Sequence, residues 1–482
     1  MEQTANRNTS SLNWLTSITI LLIVIAVNVI RFIGLEQSPP GFHVDELSGA
    51  VTVQCLSQEG IDALDNPYPL FAGLNYGSPK PPTYIYPAVL WTRLFGYSIF
   101  SFRALSGFIT VLSIIGLFFL SARLFSIHTA YWVILTASVS PFVFQVSRIA
   151  LEACLAPCFI IWGIYFFVRS DKYINAVISG LLFSAAMYSY PPARLLIPLL
   201  ILPLICLRWS SGQRNLYFIG TVLITLALVS VPLVSGTLNG EYAGRFNKIG
   251  IFSDDFLAKS GKSKTLVDLA GIFIGNYWKH LTPEFLFFSG DANYVYSTGQ
   301  FGLLSWLDSA ALLTGGIFLI SYVIRKLKNQ TVVSQGRECV IIFLITGIAL
   351  SIVPSALTWQ DIPHSLRIIC IWPFLSLLTG YIIDHLSGKI HLARYPLIVL
   401  ACVFIWIYGR HYFLVYPEQS YWMFNGNTKD EVLNAKSQKD WMKFVFRYRH
   451  QNFHLRYYLM NYLKGQNCPS SQKIWKEVHK MQ

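Results

Sequence analysis

Long runs of apolar residues alternate with short polar breaks along this chain. The runs cover residues 14–33, 100–120, 131–144, 151–168, 176–188, 195–207, 216–234, 303–323, 340–353, 368–383 and 397–408. A helix that crosses a bilayer needs about 20 mostly apolar residues, so the shorter runs must extend into their flanks. The pattern predicts an all-α polytopic membrane protein with about eleven transmembrane helices. The first run has no small-residue cleavage site after it and reads as a retained helix, not a signal peptide. A further run, 82–95, opens on Pro-Pro and is rich in aromatic residues; it reads as a helix lying along the outer membrane face. Residues 266–288 have mixed polarity and carry Trp278, Phe285, Phe287 and Phe288, which predicts an interfacial helix followed by a loop.

Composition sharpens the class. The 482 residues are 54% hydrophobic and 13% charged, where a soluble domain carries roughly 25% charged residues. Thirteen Trp, 26 Tyr and 34 Phe suit a protein anchored at two membrane interfaces.

Basic residues orient the helices. Arg123, Arg169, Lys172, Arg208, Arg214, Arg325, Lys326, Lys328, Lys389 and Arg394 all sit in short turns between runs. The positive-inside rule places these turns in the cytoplasm. The loops 34–81, 145–150, 189–194, 236–301 and 354–366 and the tail from 411 then lie outside, provided that 82–95 does not cross. Loop 34–81 agrees, with Glu36, Asp45, Glu46, Glu59, Asp62 and Asp65 against Lys80 alone. The tail carries eleven basic and five acidic residues, which argues weakly the other way, but a segment of that length crosses regardless of charge. The expected organisation is a catalytic transmembrane domain over 1–410 and a polar, basic extension over 411–482 outside the cytoplasm. The amino end is expected inside and the carboxyl end outside, in a multi-pass inner membrane protein.

The eight cysteines show no metal or redox spacing. Cys154, Cys158, Cys206, Cys370 and Cys402 lie in apolar runs and read as packing residues. Cys55 and Cys468 fall in segments placed outside, where an oxidising compartment would let them pair.

Candidate chemistry concentrates in the outer loops. In Gly41-Phe42-His43-Val44-Asp45-Glu46-Leu47, two adjacent carboxylates follow the first span. A carboxylate can take the proton from an attacking hydroxyl; the plainer reading is a helix cap. Lys80 precedes Pro81-Pro82, which fix the backbone and aim an ammonium where a phosphate can meet it; the plainer reading is a snorkelling lysine. Tyr84 on the same segment is a candidate substrate contact. Arg194 closes the hairpin Tyr188-Ser189-Tyr190-Pro191-Pro192-Ala193-Arg194, and Arg367 follows His364-Ser365-Leu366; both are candidate phosphate contacts. Arg148 is either a substrate contact or half of an i,i+4 ion pair with Glu152. Asp291, in a Ser-Gly-Asp turn, either orients a sugar or caps the turn. His364 is a candidate substrate contact, though a lone histidine is more often structural. No phosphate-cradling glycine loop and no dinucleotide fingerprint occurs, so a nucleotide-sugar donor is not indicated. The motifs establish no cofactor; a divalent metal is compatible with them but not indicated, and they point to no nucleic acid.

Taken together, several of these motifs carry a resemblance. The acidic pair, Tyr68-Pro69-Leu70-Phe71, Lys80-Pro81-Pro82, Phe102-Arg103 and the segment 283–297 resemble the GT-C-type integral membrane glycosyltransferases. They resemble above all the dolichyl-phosphate-mannose–protein mannosyltransferase family and its bacterial relatives, including the aminoarabinose transferase of lipid A. The resemblance spans nearly all of residues 14–425. It implies a polyprenyl-phosphate-sugar donor, a lipid, glycan or protein acceptor and contact with membrane lipids. It implies inverting transfer on the non-cytoplasmic face, with Asp45 as base beside Glu46 and Lys80 on the donor phosphate. Loop 236–301 is too short for the inserted repeats of the eukaryotic mannosyltransferases, which weighs against a protein acceptor. The outer loops hold no Asn-X-Ser/Thr sequon, which suits a bacterial source. A transporter or flippase of lipid-linked glycans is the alternative; it would keep the basic groups and not need Asp45. A scaffold protein, with a merely solvated acidic loop, is a third.

Overall fold

The computed structural model describes residues 14–430, apart from 63, 74–78, 243, 262–264, 328–334 and 428. Cys468 and the rest of the extension beyond 430 lie outside the described residues, as do the side chains of Arg325, Lys326 and Lys328. The helices, in chain order, are α1 (Trp14–Ile30), α2 (Val44–Glu59), α3 (Pro82–Phe95), α4 (Ile99–Leu124), α5 (Ile127–Val139) and α6 (Pro141–Val146). There follow α7 (Leu155–Arg169), α8 (Tyr173–Ser189), α9 (Pro191–Ser210), α10 (Leu216–Leu238), α11 (Gly244–Ile249) and α12 (Asp254–Ser260). The last are α13 (Leu266–Lys279), α14 (Trp306–Leu327), α15 (Gln335–Ala356), α16 (Trp372–Lys389), α17 (Arg394–Leu414) and α18 (Tyr416–Ser420). Among the described residues, extended pairing is limited to the isolated bridges Ile61–Pro67, Ala72–Lys80 and Gly250–Thr358.

Every apolar run falls on a helix. Among the described residues, seven helices are long and apolar enough to cross a membrane, and α1, α5 and α8 are shorter apolar helices. The run 131–144 is interrupted: Ser140 ends α5, and its Oγ accepts from the Val143 N–H to start α6. Pro141 at the first helical position suits that restart. Residues 82–95 form a helix, α3, opened by Pro82 and stopped by Gly96 at φ +82°, a conformation glycine adopts freely. α3 packs on α2, α4 and α8.

The core forms where α5 meets α1, α4 and α16. Trp132, Val133 and Leu135 of α5 are fully buried. Gly380 of α16 allows a close approach: an added Cβ would meet the Val133 side chain at 2.5 Å and its backbone nitrogen at 2.7 Å. The outward faces of α10 and α17 leave Leu228, Val231 and Trp406 exposed, as lipid-facing surfaces do.

The contacts sort the turns to two ends. At one end, Arg123 donates to the Val168 carbonyl, Arg208 to Phe167 O and the Asp171 carboxylate, and the Thr129 hydroxyl to Asp384. These are turns that charge assigned to the cytoplasm. At the other end, contacts join 34–46, 80–83, 145–152, 189–194, 242, 276–296, 355–367 and 416–429. The loops read as outer therefore meet at a single face. Residues 411–430 meet that face too: Tyr416 of α18 bonds to Gln145 and the Tyr294 carbonyl, and Asn425 and Lys429 bond to loop 34–46. Cys55 in α2 is disulfide-bonded; its partner lies outside the described residues.

Candidate functional site

The acidic pair splits at the start of α2. His43 is the N-cap, its Nδ1 accepting from the Asp45 N–H at 3.3 Å, while Glu46 reaches back to the His43 N–H at 2.9 Å. This reciprocal arrangement satisfies two amide donors that a helix start leaves open. The Glu46 carboxylate also takes Nε and Nη2 of Arg103 at 2.8 Å each and the Ala150 N–H at 2.8 Å. Four donors fill a carboxylate's acceptor sites, and Glu46 is fully buried. The expected catalytic role for Glu46 therefore gives way to a structural one. Asp45 points elsewhere: its side chain is 38% exposed and stands 3.7 Å from His43 Nδ1.

Three buried arginines shape the loop around Asp45. Arg103 donates to the carbonyls of Leu35, Pro39 and Gly41. Arg148 donates to those of Ile30, Arg31, Gly34 and Ser38. Arg31 holds Val143 O and the Ser147 hydroxyl. The planar fork of arginine suits such gathering of carbonyls. Arg148 is thus neither paired with Glu152 nor open to a substrate. Residues 147–151 are not helical, so the i,i+4 spacing does not apply.

Glu152 instead faces Lys80, Oε2 to Nζ, at 3.4 Å. The Lys80 side chain is 5% exposed and Glu152 23%, so the pair sits at the edge of the protein interior. The Ala72–Lys80 bridge fixes the backbone of Lys80, and Thr83 contacts Ser189 at 3.0 Å. His43 lies in the electrostatic field of Asp45, Glu46, Lys80 and Arg103 together. Burial lowers the His43 pKa, against the pull of Asp45 and Glu46 and with that of Lys80 and Arg103.

Arg194 flanks this region. It donates to the Tyr242 carbonyl at 3.1 Å and lies 5.8 Å over the Phe71 ring. Phe71 in turn contacts the rings of Tyr188 and Tyr242. Tyr84 is buried at 1% exposure, its ring edge-on to Phe102. It belongs to the packing between α3 and α4 and offers no surface to a substrate.

A second cluster joins the 276–296 and 355–367 segments. Asp291 accepts from the Ser365 N–H and hydroxyl at 2.7 and 2.8 Å, and from the Asn293 N–H at 2.9 Å. Burial raises its pKa against the pull of those bonds. His364 lies 3.8 Å from Asp291 and its ring packs on Tyr296. Arg367 donates to Thr358 Oγ1 at 2.9 Å and to the Gln360 carbonyl. His280, which sequence reasoning passed over, completes the cluster. Its Nε2 accepts from the His364 N–H and faces the Ser355 hydroxyl, which leaves Nδ1–H to donate to Asn276 O. Burial holds this neutral ring at a pKa of about 4. The two clusters touch where Glu152–Cys154 packs on Leu366–Ile371.

Residues 79–234 match the family model "Dolichyl-phosphate-mannose-protein mannosyltransferase". That segment takes in Lys80, Glu152 and Arg194 and begins after Asp45. The fold is similar to ArnT from Cupriavidus metallidurans, solved bound to undecaprenyl phosphate: TM-score 0.51, 12% identity, covering 92% of this chain and 75% of that one. It is also similar to the archaeal oligosaccharyltransferase AglB from Archaeoglobus fulgidus, solved with an inhibitory peptide and a dolichol-phosphate. There the TM-score is 0.50 and the identity 12%, over 90% of this chain and 60% of that one. No curated protein matches the chain by sequence. At such identities the likeness is one of fold, and the chain has the GT-C-type membrane fold that its motifs resemble.

Proposed function

We propose that this protein is a membrane glycosyltransferase that moves a sugar from a polyprenyl-phosphate-linked donor to an acceptor hydroxyl. The observation that carries the reading is a partly exposed carboxylate, Asp45, beside the capping His43, together with a backbone-anchored ammonium, Lys80. Both lie at the end of the bundle where the predicted outer loops gather. The GT-C-type fold supports it, as does the undecaprenyl phosphate bound to ArnT.

In this reading Asp45 accepts the proton of the acceptor hydroxyl as its oxygen bonds to the anomeric carbon. The bond from that carbon to the phosphate oxygen breaks, and the anomeric configuration inverts. The leaving polyprenyl phosphate is already an anion, so it needs charge stabilisation more than a general acid. Lys80 is suited to that role, with Arg194 and Arg367 as further phosphate contacts. Glu46 and Arg148 act behind the site by fixing the loop that carries Asp45. Asp291 and His364 brace the loop that faces the acceptor. The proposal includes eleven crossings with the amino end in the cytoplasm, which puts the site outside the cytoplasm of a bacterial inner membrane.

The test is transfer by purified protein in lipid discs. The expected result is release of free polyprenyl phosphate and a glycosylated acceptor of inverted configuration. Binding of the donor without turnover, together with its movement across vesicles, would favour the flippase reading instead.

A further inference from the structure

The stretch 421–427, with Lys429, lies as a strap over the segment that carries Asp45. The Phe42 N–H donates to the Phe424 carbonyl at 2.5 Å, and the Asn425 side-chain amide returns a bond to the Phe42 carbonyl at 3.2 Å. Lys429 Nζ donates to the carbonyls of Glu36 and Pro40 at 2.9 and 3.0 Å. The Phe424 ring is fully buried. It lies 5.5 Å from the Arg103 guanidinium and 5.9 Å, edge-on, from the His43 ring. His43 is the cap that receives the Asp45 amide. A continuous series of contacts therefore runs from the strap through Phe424 and His43 to Asp45.

Gly41 shows how closely the strap fits. An added Cβ there would overlap the Phe424 carbonyl oxygen and meet the Gly426 nitrogen at 2.7 Å. Gly41 is absent from the positive-φ residues, so its own backbone does not demand glycine. The approach of the strap does. On the strap side, Asn425 adopts φ +53°, a left-handed conformation that asparagine tolerates better than most residues.

We propose that the strap is a positioning element for the transfer reaction: Phe424, Asn425 and Lys429 set where the start of α2 presents Asp45. The proposal rests on the reading of Asp45 as base. A misplacement of about 1 Å can cost a reaction roughly 10²-fold without touching the chemistry, so a loosened strap should lower turnover while leaving Lys80 and donor binding intact.

The test uses the full chain with three single substitutions, Gly41→Ala, Lys429→Ala and Lys429→Arg. Two quantities are read: amide hydrogen exchange over 36–47, and kcat alongside donor affinity. Gly41→Ala and Lys429→Ala should exchange faster over 36–47 and lose roughly tenfold or more in kcat, with donor affinity within about twofold of wild type. Lys429→Arg keeps donors for both carbonyls and should restore both readouts. If Gly41→Ala does not fold, the lysine pair carries the test alone. Unchanged exchange in the loosened variants, or faster exchange with full kcat, overturns the proposal. Retained turnover in Asp45→Asn would instead strike the base assignment and leave the exchange result standing.

Discussion

Glu46 and Arg103 meet in a two-pronged ion pair, both N–H···O distances 2.8 Å, with neither side chain exposed. The pair locks the start of α2 to α4, 57 residues apart in sequence. It also explains why two neighbouring carboxylates have different roles. Glu46 is spent on Arg103, Ala150 and its own helix cap, and Asp45 is left toward the accessible side.

Glu46→Gln should therefore cost stability rather than chemistry. The amide nitrogen would be forced against a donor, and Arg103 would keep a buried charge without its counter-ion. Breaking one side of a buried pair typically costs about 3–5 kcal/mol. Thermal unfolding in detergent should show a large drop in midpoint or a failure to accumulate. A variant as stable as wild type would remove the structural assignment.

Lys80 and Glu152 make a separate prediction about the donor. A phosphate arriving at Lys80 must compete with Glu152, 3.4 Å away. Lys80→Ala should weaken donor binding by about tenfold or more, as loss of a charged hydrogen bond costs roughly 1.5–3 kcal/mol. Lys80→Arg should lose less, because the charge remains. Glu152→Gln should tighten binding a few-fold by removing the competitor. Direct donor binding in detergent decides it, and equal affinity for wild type and Lys80→Ala would end the phosphate role.

What the sequence made legible follows from range. The apolar runs report local burial, so the helices could be read from them, and Pro81-Pro82 marked the start of α3. The break at Ser140-Pro141 was hidden because a small residue and a proline barely interrupt an apolar run. Spacing offered Glu152 as one alternative partner for Arg148, but a non-helical stretch separates them and Lys80, 72 residues away, takes the carboxylate. Nothing local points from Glu46 to Arg103, or from Phe42 to Phe424. Phe102-Arg103 at the start of α4 was visible as a motif without its partner. His280 left only a lone histidine after an aromatic stretch as its signal.

His280 makes stability depend on pH. Its folded pKa of about 4 lies below the ordinary 6.5, so the unfolded chain takes up the proton first on acidification. Its contribution is complete above about 6.5, declines as pH falls toward about 4 and flattens below that. The total is on the order of 3 kcal/mol. Asp291, whose pKa burial raises, works in the opposite sense at the acidic end of the range. Unfolding midpoints measured from pH 7 to 4 should fall less steeply in His280→Gln than in wild type. Parallel slopes would show that His280 is not the group responsible.

α13 is polar inward and apolar outward. Asn276 donates to the carbonyls of Ala356 and Thr358, and the Tyr277 hydroxyl to that of Ala349. Val267, Ile274 and Trp278 are exposed. That arrangement suits a helix lying in the outer leaflet. A nitroxide placed at Ile274 in lipid bilayers should be relaxed more by oxygen than by a water-soluble nickel complex. The reverse preference would put this face of α13 in water.

Asp45 carries the sharpest prediction, because the structure supplies its own control. Asp45 is the second residue of α2, and the cap is made by His43 and Glu46. The Asp45 carboxylate stands 3.7 Å from the capping His43 ring but makes neither hydrogen bond of the cap, so Asp45→Asn, which keeps the side chain's size, should leave the Glu46–Arg103 pair and most of the thermal midpoint in place. The amide cannot accept the acceptor's proton. A general base typically contributes roughly 10²- to 10⁴-fold, so turnover should fall by that order while donor affinity, set by Lys80, persists. The pH profile distinguishes a base from a mere contact. Wild-type kcat should fall on acidification as the carboxylate is protonated, and the residual activity of Asp45→Asn should lack that limb. Asp45→Glu keeps the carboxylate on a longer arm and should recover part of the rate together with the limb. Near-normal turnover by Asp45→Asn would move the base elsewhere. Glu152 is the next candidate, as a carboxylate partly open to solvent and paired to Lys80.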